Sequence, residues 1–242
     1  PSMMQHFNKF VFGIDSWWKK QQHKTCSSVF DDAYVFNYAL TMQEIEVFHR
    51  RKDRLLHYWD MSTLTDDGKI KDWIGGNHLI LAGSTAAKDE GDCRRGGCQA
   101  VQGCSSYLES VLPFHATIAG RAPRTIMTWV KINDPDGDGD GVRPIFGYGN
   151  DNGACTAPAR SFSIESPSNG DIRAIGCGAD LSFNQDRMTN GLWVHLALTY
   201  DGSKGRMYRD GQLLAAADWN VDTHPPSMMQ HFNKFVFGID SW

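Results

Sequence analysis

The chain has 242 residues, of which 41% are hydrophobic and 21% charged, and its formal net charge at pH 7 is -4. These values are typical of a globular protein that buries a substantial core. They argue against two classes of protein: no run approaches the ~18 consecutive apolar residues of a membrane span, and the charge gives no general attraction to nucleic acid.

Short segments of alternating or apolar residues, bounded by turn residues, predict an all-β fold. The predicted strands, in chain order, cover residues 8–14, 33–38, 55–61, 78–83, 99–104, 105–110, 124–132, 143–149, 161–166, 171–177, 192–200, 205–210, 212–217 and 233–239. Asn169-Gly170 and Asp210-Gly211 are hairpin signals, because both central residues of a type I′ turn need positive φ. We therefore expect antiparallel hairpins at both places.

One helix is predicted at residues 41–51. Thr41 is its expected N-cap, and Glu44 three residues later completes a capping box. Met42 and Ile45 lie on one face, and the basic residues at 50–52 suit the negative end of the helix dipole. The sequence therefore predicts a single short amphipathic helix among the strands.

Residues 1–17 are identical to residues 226–242, so the sequence has a period of 225 residues (226 minus 1). A sandwich has one ladder position for a given strand, because neighbouring strands lie about 4.8 Å apart and cannot overlap. We therefore predict that one copy of this segment fills that position in its own domain. The other copy is predicted to complete the sheet of a neighbouring copy or repeat.

Four stretches of the chain are distinctive: "FDDAYVFNYALTMQEIEVFHRR" (30–51), "LLHYWDMSTLTDDGKIKDWIGGNHLIL" (55–81), "RTIMTWVKI" (124–132) and "GLWVHLALTYDGSKGRMYRDGQLL" (191–214). They resemble the laminin-G-like jellyroll domain of the concanavalin A-like lectin/glucanase superfamily. The resemblance implies an all-β, two-sheet antiparallel jellyroll sandwich with one short helix. It does not imply one activity, because this sandwich hosts many unrelated functions.

The order of these stretches is rotated relative to the family, since the closing strand and helix come before the opening strand. Residues 1–52 are therefore expected to be the C-terminal portion of a preceding repeat, and residues 53–242 the main part of the next one. Two explanations stay open. The chain is a window cut from a tandem array of near-identical repeats, or it is a circular permutant with a duplicated strand.

An acidic stretch and a tryptophan pair are the candidate ligand sites. Asp134, Asp136, Asp138 and Asp140 alternate with other residues in "NDPDGDGDG", which suits the oxygen ligands of Ca2+, although the glutamate of an EF-hand is absent. A solvated acidic loop is the alternative. Trp17 and Trp18 are candidates for stacking on extracellular glycans, with core packing or an inter-domain contact as the alternative.

Catalysis is not expected. Glycosidases place two carboxylates beside one substrate, whereas Glu44 and Glu46 lie on the predicted helix, about 200° apart around its axis. No recognised nucleophile, phosphate-binding or zinc motif occurs in the sequence.

The six cysteines form an even set without the spacing of a zinc site, which indicates three disulfides and an oxidising, extracellular setting. Cys155 and Cys177 flank the turn at 169–170 and are predicted to pair. Cys26, Cys93, Cys98 and Cys104 leave three connectivities open.

Two functional hypotheses follow. The first is a structural repeat module of an extracellular fibre or surface appendage, whose partners are neighbouring copies of itself. The second is a carbohydrate-binding, adhesin-like module, with or without calcium, in which repetition supplies avidity.

Overall fold

A computed structural model describes thirteen segments of the chain. They cover residues 11–12, 28–46, 55–82, 93–94, 97–101, 107–132, 142–149, 160–167, 169–176, 179–183, 187–189, 191–225 and 233–237. All statements below concern these residues.

The described residues form sixteen strands, one α-helix and one 3-10 helix. In chain order these elements are β1 (Val11–Phe12), β2 (Ser28–Phe36), α1 (Met42–Glu46), β3 (Leu55–Leu64), β4 (Ile70–Asp72), β5 (Leu79–Ala82), β6 (Gln99–Val101), β7 (Tyr107–Ser110), the 3-10 helix (Ala116–Ile118), β8 (Arg124–Ile132), β9 (Val142–Gly149), β10 (Ser161–Pro167), β11 (Ile172–Ile175), β12 (Leu181–Phe183), β13 (Trp193–Tyr200), β14 (Lys204–Arg209), β15 (Gln212–Asp218) and β16 (Val236–Phe237). The all-β prediction is confirmed. None of the described helices is long and apolar enough to cross a membrane.

The strands follow one continuous hydrogen-bonded order that folds over on itself. That order is β12-β11-β10-β9-β16-β1-β7-β5-β4-β3-β2-β8-β13-β14-β15, and β6 pairs with β2. The pairs are antiparallel except for β1 and β16, which are parallel. The two ends of the order meet where β12 contacts β15, so the two halves of the sheet face each other as the layers of a jellyroll-type sandwich.

The core lies between these two halves. Strand β3 alternates between buried and partly exposed residues, so that His57, Trp59 and Met61 point inward. Strand β8 is instead buried on both faces. Its second face is covered by α1, whose Ile45 joins a smaller cluster with Phe36, Leu40, Leu55, Met127, Ala197 and Tyr208.

The predicted capping box of α1 is confirmed. The backbone N–H of Glu44 donates to Thr41 Oγ1 at 3.2 Å, and the backbone N–H of Thr41 donates to Glu44 Oε2 at 3.0 Å. These bonds satisfy two backbone donors at the start of the helix that have no intrahelical partner. Glu44 therefore has a structural role at the helix end.

Both predicted antiparallel hairpins are present, since β10 pairs with β11 and β14 pairs with β15. Asp210 and Gly211 have φ of 50° and 81°, as a type I′ turn requires. In the hairpin of β10 and β11, Gly170 has a positive φ of 79°, and its N–H donates to the carbonyl of Pro167 at 2.8 Å. The side chain of Asn169 accepts from the backbone N–H of Asp171, so a local side-chain bond helps to close this hairpin.

The rotated segment packs within this chain's own sheet. Strand β2 lies between β3 and β8 and pairs antiparallel with both. This pairing does not locate a repeat boundary. In a tandem array of identical repeats, the segment one period later would have the same sequence as β2 and could pair with β3 and β8 in the same way. The division at residues 52 and 53 therefore stays a prediction.

Cys93 and Cys98 form a disulfide, which selects one of the open cysteine pairings. The pairings of Cys26, Cys104, Cys155 and Cys177 lie outside the described residues. The Cys93–Cys98 bond closes a loop with a sequence separation of 5.

Replacing both Cys93 and Cys98 with alanine should lower the free energy of unfolding by about 2 kcal/mol, because a cross-link restricts the unfolded chain and the effect is small for a short loop. Urea unfolding of the double variant against the parent chain measures this change. A loss near zero would show that this bond constrains little in the unfolded chain.

Candidate functional site

The candidate site is a ladder position between β7 and β9, which we call the strand slot. Strand β16 occupies it antiparallel to β9, with Val236 opposite Gly147 and Phe237 opposite Phe146. On the β7 side, the N–H of Ser110 donates to the carbonyl of Phe235 at 3.2 Å. The N–H of Phe114 donates to the carbonyl of Asn233 at 3.1 Å, so the contacts of the second copy continue beyond the end of β7.

Both copies of the repeated segment lie at the strand slot. Val236 is paired with Gly147, and so is Val11, its equivalent in the first copy (11 plus 225 is 236). The other side of Gly147 is taken by Ser163 of β10. The two copies are also paired with each other, Phe12 with Val236. Because a strand has one neighbour on each side, Gly147 can be fully paired with only one of the two copies at a time.

This arrangement differs from the expectation that one copy would lie away from the home domain. Val11 and Phe12 are also paired with Glu109 and Leu108 of β7. A single chain offers its own slot to both copies, since the two segments have the same sequence and the same backbone requirement. Both copies therefore contact the same two flanking strands, β7 and β9, in one chain.

Two phenylalanines of the second copy fill the core side of the slot. The fully buried ring of Phe235 has its centroid 4.8 Å from that of Tyr148 and 5.7 Å from that of Phe146. The rings of His57, Trp59 and Phe114 complete its surroundings at 6.1 to 6.2 Å. Phe237 is stacked on Phe146 at 4.5 Å. The core side of the slot is therefore filled by two aromatic side chains of one strand.

The opposite face of the second copy makes a charged contact. Lys234 forms an ion pair with Glu109 of β7. Only 14% of the lysine side chain and 8% of the glutamate side chain are exposed. The slot therefore combines an aromatic face with one nearly buried carboxylate.

A histidine–aspartate pair supports the aromatic face. His57 Nδ1 lies 2.7 Å from Asp72 Oδ2, and it must donate because an ionised carboxylate only accepts. Asp72 also accepts from the backbone N–H groups of Tyr58, Ile74, Gly75 and Asn77 at 2.9 to 3.2 Å. A Cβ at Gly75 would lie 2.4 Å from the imidazole, so only glycine fits beside His57.

The electrostatics of this pair follow from burial and hydrogen bonding. Burial lowers the pKa of His57 below its ordinary value, although Asp72 acts in the opposite direction. Burial alone would raise the pKa of Asp72, but the bonds from His57 and from the backbone outweigh burial and lower that pKa. At neutral pH the pair is therefore a neutral imidazole held by a carboxylate.

Stability should fall on acidification because of two buried histidines. Burial lowers the pKa of His195 to about 4; Asp210 acts against this shift and Arg94 adds to it. In the unfolded chain this histidine has its ordinary pKa of 6.5, so between pH 6.5 and 4 the unfolded chain binds more protons than the folded chain. His195 alone should then remove about 3 kcal/mol over this range, with a loss of the same sign from His57.

Urea unfolding between pH 4 and 8 measures this dependence. His195→Phe should flatten it, since the phenyl ring keeps the packing against Trp129 (ring centroids 5.2 Å apart) without titrating. A pH dependence unchanged by this substitution would contradict the assignment to His195.

The ligand-binding residues predicted from the sequence are not among the described residues. Trp17, Trp18, Asp134, Asp136, Asp138 and Asp140 lie outside them. Within the described part of the chain, no three His, Cys, Asp or Glu side chains are grouped in a way that could hold a metal ion. The calcium expectation therefore stays a prediction.

Sequence reasoning missed one exposed tryptophan. Trp73, in the turn after β4, is 47% exposed. Its Nε1–H donates to Asp60 Oδ2 at 3.0 Å, and Lys71 Nζ lies 3.6 Å from its ring centroid. The indole is therefore held in one orientation at the surface. The polar turn around it gave no periodic signal that would have distinguished Trp73 from a turn residue.

A family comparison identifies the fold. The family model Laminin G 3, described as the concanavalin A-like lectin/glucanases superfamily, matches residues 106–242, which is more than half of the chain. The chain belongs to this superfamily. The concanavalin A-like match includes β7, β9 and β16, and so covers both walls of the strand slot and the copy that fills it.

Other comparisons give more distant likenesses. No curated protein matches the chain. A glycosyl hydrolase family protein from Mycobacterium fortuitum is 16% identical over 66% of this chain and 63% of its own, with a TM-score of 0.34. A glycoside hydrolase family protein from Mycobacterium thermorestibile is 17% identical over 66% of this chain and 65% of its own, with a TM-score of 0.32. This concanavalin A-like chain thus spans less than two thirds of either protein, and neither likeness carries an argument about activity.

Proposed function

We propose that this chain is a structural repeat module of an extracellular fibre or surface appendage. It assembles end to end by placing one copy of the repeated segment in the strand slot of a neighbouring copy or repeat. The observation that supports this proposal best is the shared use of Gly147, with which both Val11 and Val236 are paired. Because Gly147 can be fully paired with only one copy at a time, a chain whose slot is filled by residues 233–237 can offer its first copy to the slot of a neighbour.

The proposed contact is strand addition, in which main-chain bonds give affinity and pockets for alternate side chains give selectivity. It joins two different surfaces, the first copy of one chain and the strand slot of the next. A head-to-tail contact of this kind produces an open filament unless its rotation closes a ring. The Cys93–Cys98 disulfide supports the extracellular part of the proposal, because such bonds persist in oxidising compartments.

Removing the apolar side chains of the first copy tests this function. Phe10→Ala with Phe12→Ala keeps the chain length, the charge and the whole second copy. Sedimentation velocity and negative-stain electron microscopy should show filaments or concentration-dependent oligomers for the parent chain. The variant should reduce the assembled fraction at least about tenfold, because it removes the side chains that fill the neighbour's aromatic face.

The matched control carries the same number of apolar-to-alanine changes on the surface, at Leu192 and Leu213, which are 56% and 47% exposed. This control should assemble like the parent. Isolated monomers of the parent chain at every concentration, or assembly that the Phe10/Phe12 variant leaves unchanged, would contradict the proposed function.

Carbohydrate binding is a second candidate, and the fixed, exposed ring of Trp73 favours it. Aromatic rings of this kind offer an apolar face beside polar groups, here Asp60 and Lys71. A glycan array probed with the parent chain and with Trp73→Ala, each with and without a chelator, separates the alternatives. Binding lost with Trp73→Ala supports this surface, whereas loss with the chelator points to a calcium site such as the one proposed at residues 134–140. Binding unaffected by either leaves Trp17 and Trp18 as the proposed contacts.

A further inference from the structure

We infer that Glu109 is the specificity-determining residue of the strand slot. It selects, in one register, the Lys-Phe-Val-Phe sequence found at residues 9–12 and 234–237. The inference rests on the proposed function for the identity of the second occupant, which is residues 9–12 of a neighbouring copy. Its direct evidence is the contact that Lys234 makes with Glu109.

The contact places a charge pair on the face of the strand opposite the aromatic core. Successive residues of a strand point to opposite faces, so Lys234 points away from the core because Phe235 points into it. Both charged side chains are nearly buried. A carboxylate in such a place is strongly disfavoured when its cation is removed, so Glu109 discriminates against occupants that lack one.

The pair also fixes the register of the occupant. A slip of one residue would turn the lysine toward the core and Phe235 away from it. A slip of two residues keeps the faces but brings Phe232 or Val236 to the position of Lys234, and neither side chain carries a charge. Lys234 is the only lysine or arginine in residues 226–242. One register alone therefore satisfies Glu109 and the aromatic face together.

The identical first copy meets the same requirements. Lys9 precedes Phe10, Val11 and Phe12 as Lys234 precedes Phe235, Val236 and Phe237. The backbone register agrees, because Val11 is paired with both Gly147 and Glu109 across the slot. Residues 9–12 of a neighbouring copy thus have the sequence that Glu109 selects, and the Lys-Phe-Val-Phe sequence occurs in the chain at these two places alone.

Charge reversal tests the selection. Glu109→Lys places two cations together in the slot, whereas Glu109→Lys with Lys9→Glu and Lys234→Glu restores an opposite-charge pair with its sign reversed. Amide hydrogen exchange at residues 107–110 and 145–147 reports whether the slot is filled, and sedimentation velocity reports assembly. We expect exchange at least about tenfold faster for Glu109→Lys and recovery to within about threefold for the triple variant. If Glu109→Lys fails to fold, Glu109→Gln replaces it, and exchange at these amides should again be faster than in the parent chain. In that case, a triple variant that folds is itself the recovery.

Two double variants distinguish which copy of the repeated segment occupies the strand slot. Glu109→Lys with Lys234→Glu should recover slot protection in the monomer, since it repairs the pair within one chain. Glu109→Lys with Lys9→Glu should recover it more strongly as concentration rises, because it repairs the pair with a neighbour.

The outcomes separate this inference from the proposed function. Recovery of slot protection by the triple variant in a chain that never assembles would retain the role of Glu109 and overturn the fibre function. Assembly that proceeds equally well with Glu109→Lys, or a triple variant no better protected than Glu109→Lys, would overturn the role of Glu109 and leave the fibre function standing.

Discussion

The double variant Phe10→Ala/Phe235→Ala is expected to lose about 3–5 kcal/mol of unfolding free energy, the usual cost of truncating a buried phenylalanine. Phe235 is fully buried among five rings, so the surrounding side chains have little freedom to collapse into the space it leaves. Urea unfolding measures the loss.

The two single variants test whether Phe10 and Phe235 share one position. Because the two copies are alternative occupants of one slot, Phe235→Ala alone should lose less than half of the double-variant value, as the first copy then supplies Phe10. Phe10→Ala alone should lose almost nothing in the monomer. Strict additivity of the two single losses would contradict a shared position. Leu213→Ala, at an exposed leucine, is the control and should change stability by less than about 0.5 kcal/mol.

The second large effect is expected at Asp72. Replacing this buried carboxylate with alanine leaves four backbone N–H groups and His57 without their acceptor. Removing one side of a buried, charge-assisted network costs about 3–5 kcal/mol. Equilibrium unfolding in urea at pH 7 should show a loss of this size.

Two further substitutions sharpen the test at Asp72. Asp72→Asn keeps one acceptor oxygen and should lose less than Asp72→Ala, because the three bonds to Oδ1 can persist while the two to Oδ2 cannot. Asp67→Asn, at an exposed carboxylate in the preceding turn, is the matched control and should be nearly neutral. A loss at Asp72→Ala no greater than that of the control would show that the network contributes nothing.

The sequence predicted the fold well wherever a strand was long enough to show its pattern. Residues 124–132 were predicted and observed with the same bounds, because nine residues give a clear run of apolar and β-branched side chains. The three-residue strands β4 and β12 were missed, since the residues on either side of them are largely polar and do not extend the alternation. The start of the helix after Thr41 followed from the capping box, and Met42–Glu46 are helical as predicted; the predicted helical residues 47–51 lie outside the described part of the chain.

The site was only partly predictable. Steric exclusion identified the repeated segment, residues 1–17 and 226–242, as the part of the chain to examine. It did not indicate that β7 and β9 would flank this segment. Glu109 and Lys234 are 125 residues apart, and no local pattern marks Glu109 as a partner of a lysine that distant. The same holds for Gly147, whose pairing with both copies depends on where the sheet folds over. Long-range pairing follows from the whole topology, so it appears only in three dimensions.

The meeting of the two ends of the strand order has a consequence for the thickness of any fibre. The indole N–H of Trp219, just after β15, donates to the carbonyl of Ala179, just before β12, and β12 contacts β15. The backbone edges at the two ends of the order are therefore turned toward each other, and they offer little to a molecule approaching from the side. If the chain assembles as proposed, we expect its fibres to lengthen as single threads and to resist lateral bundling.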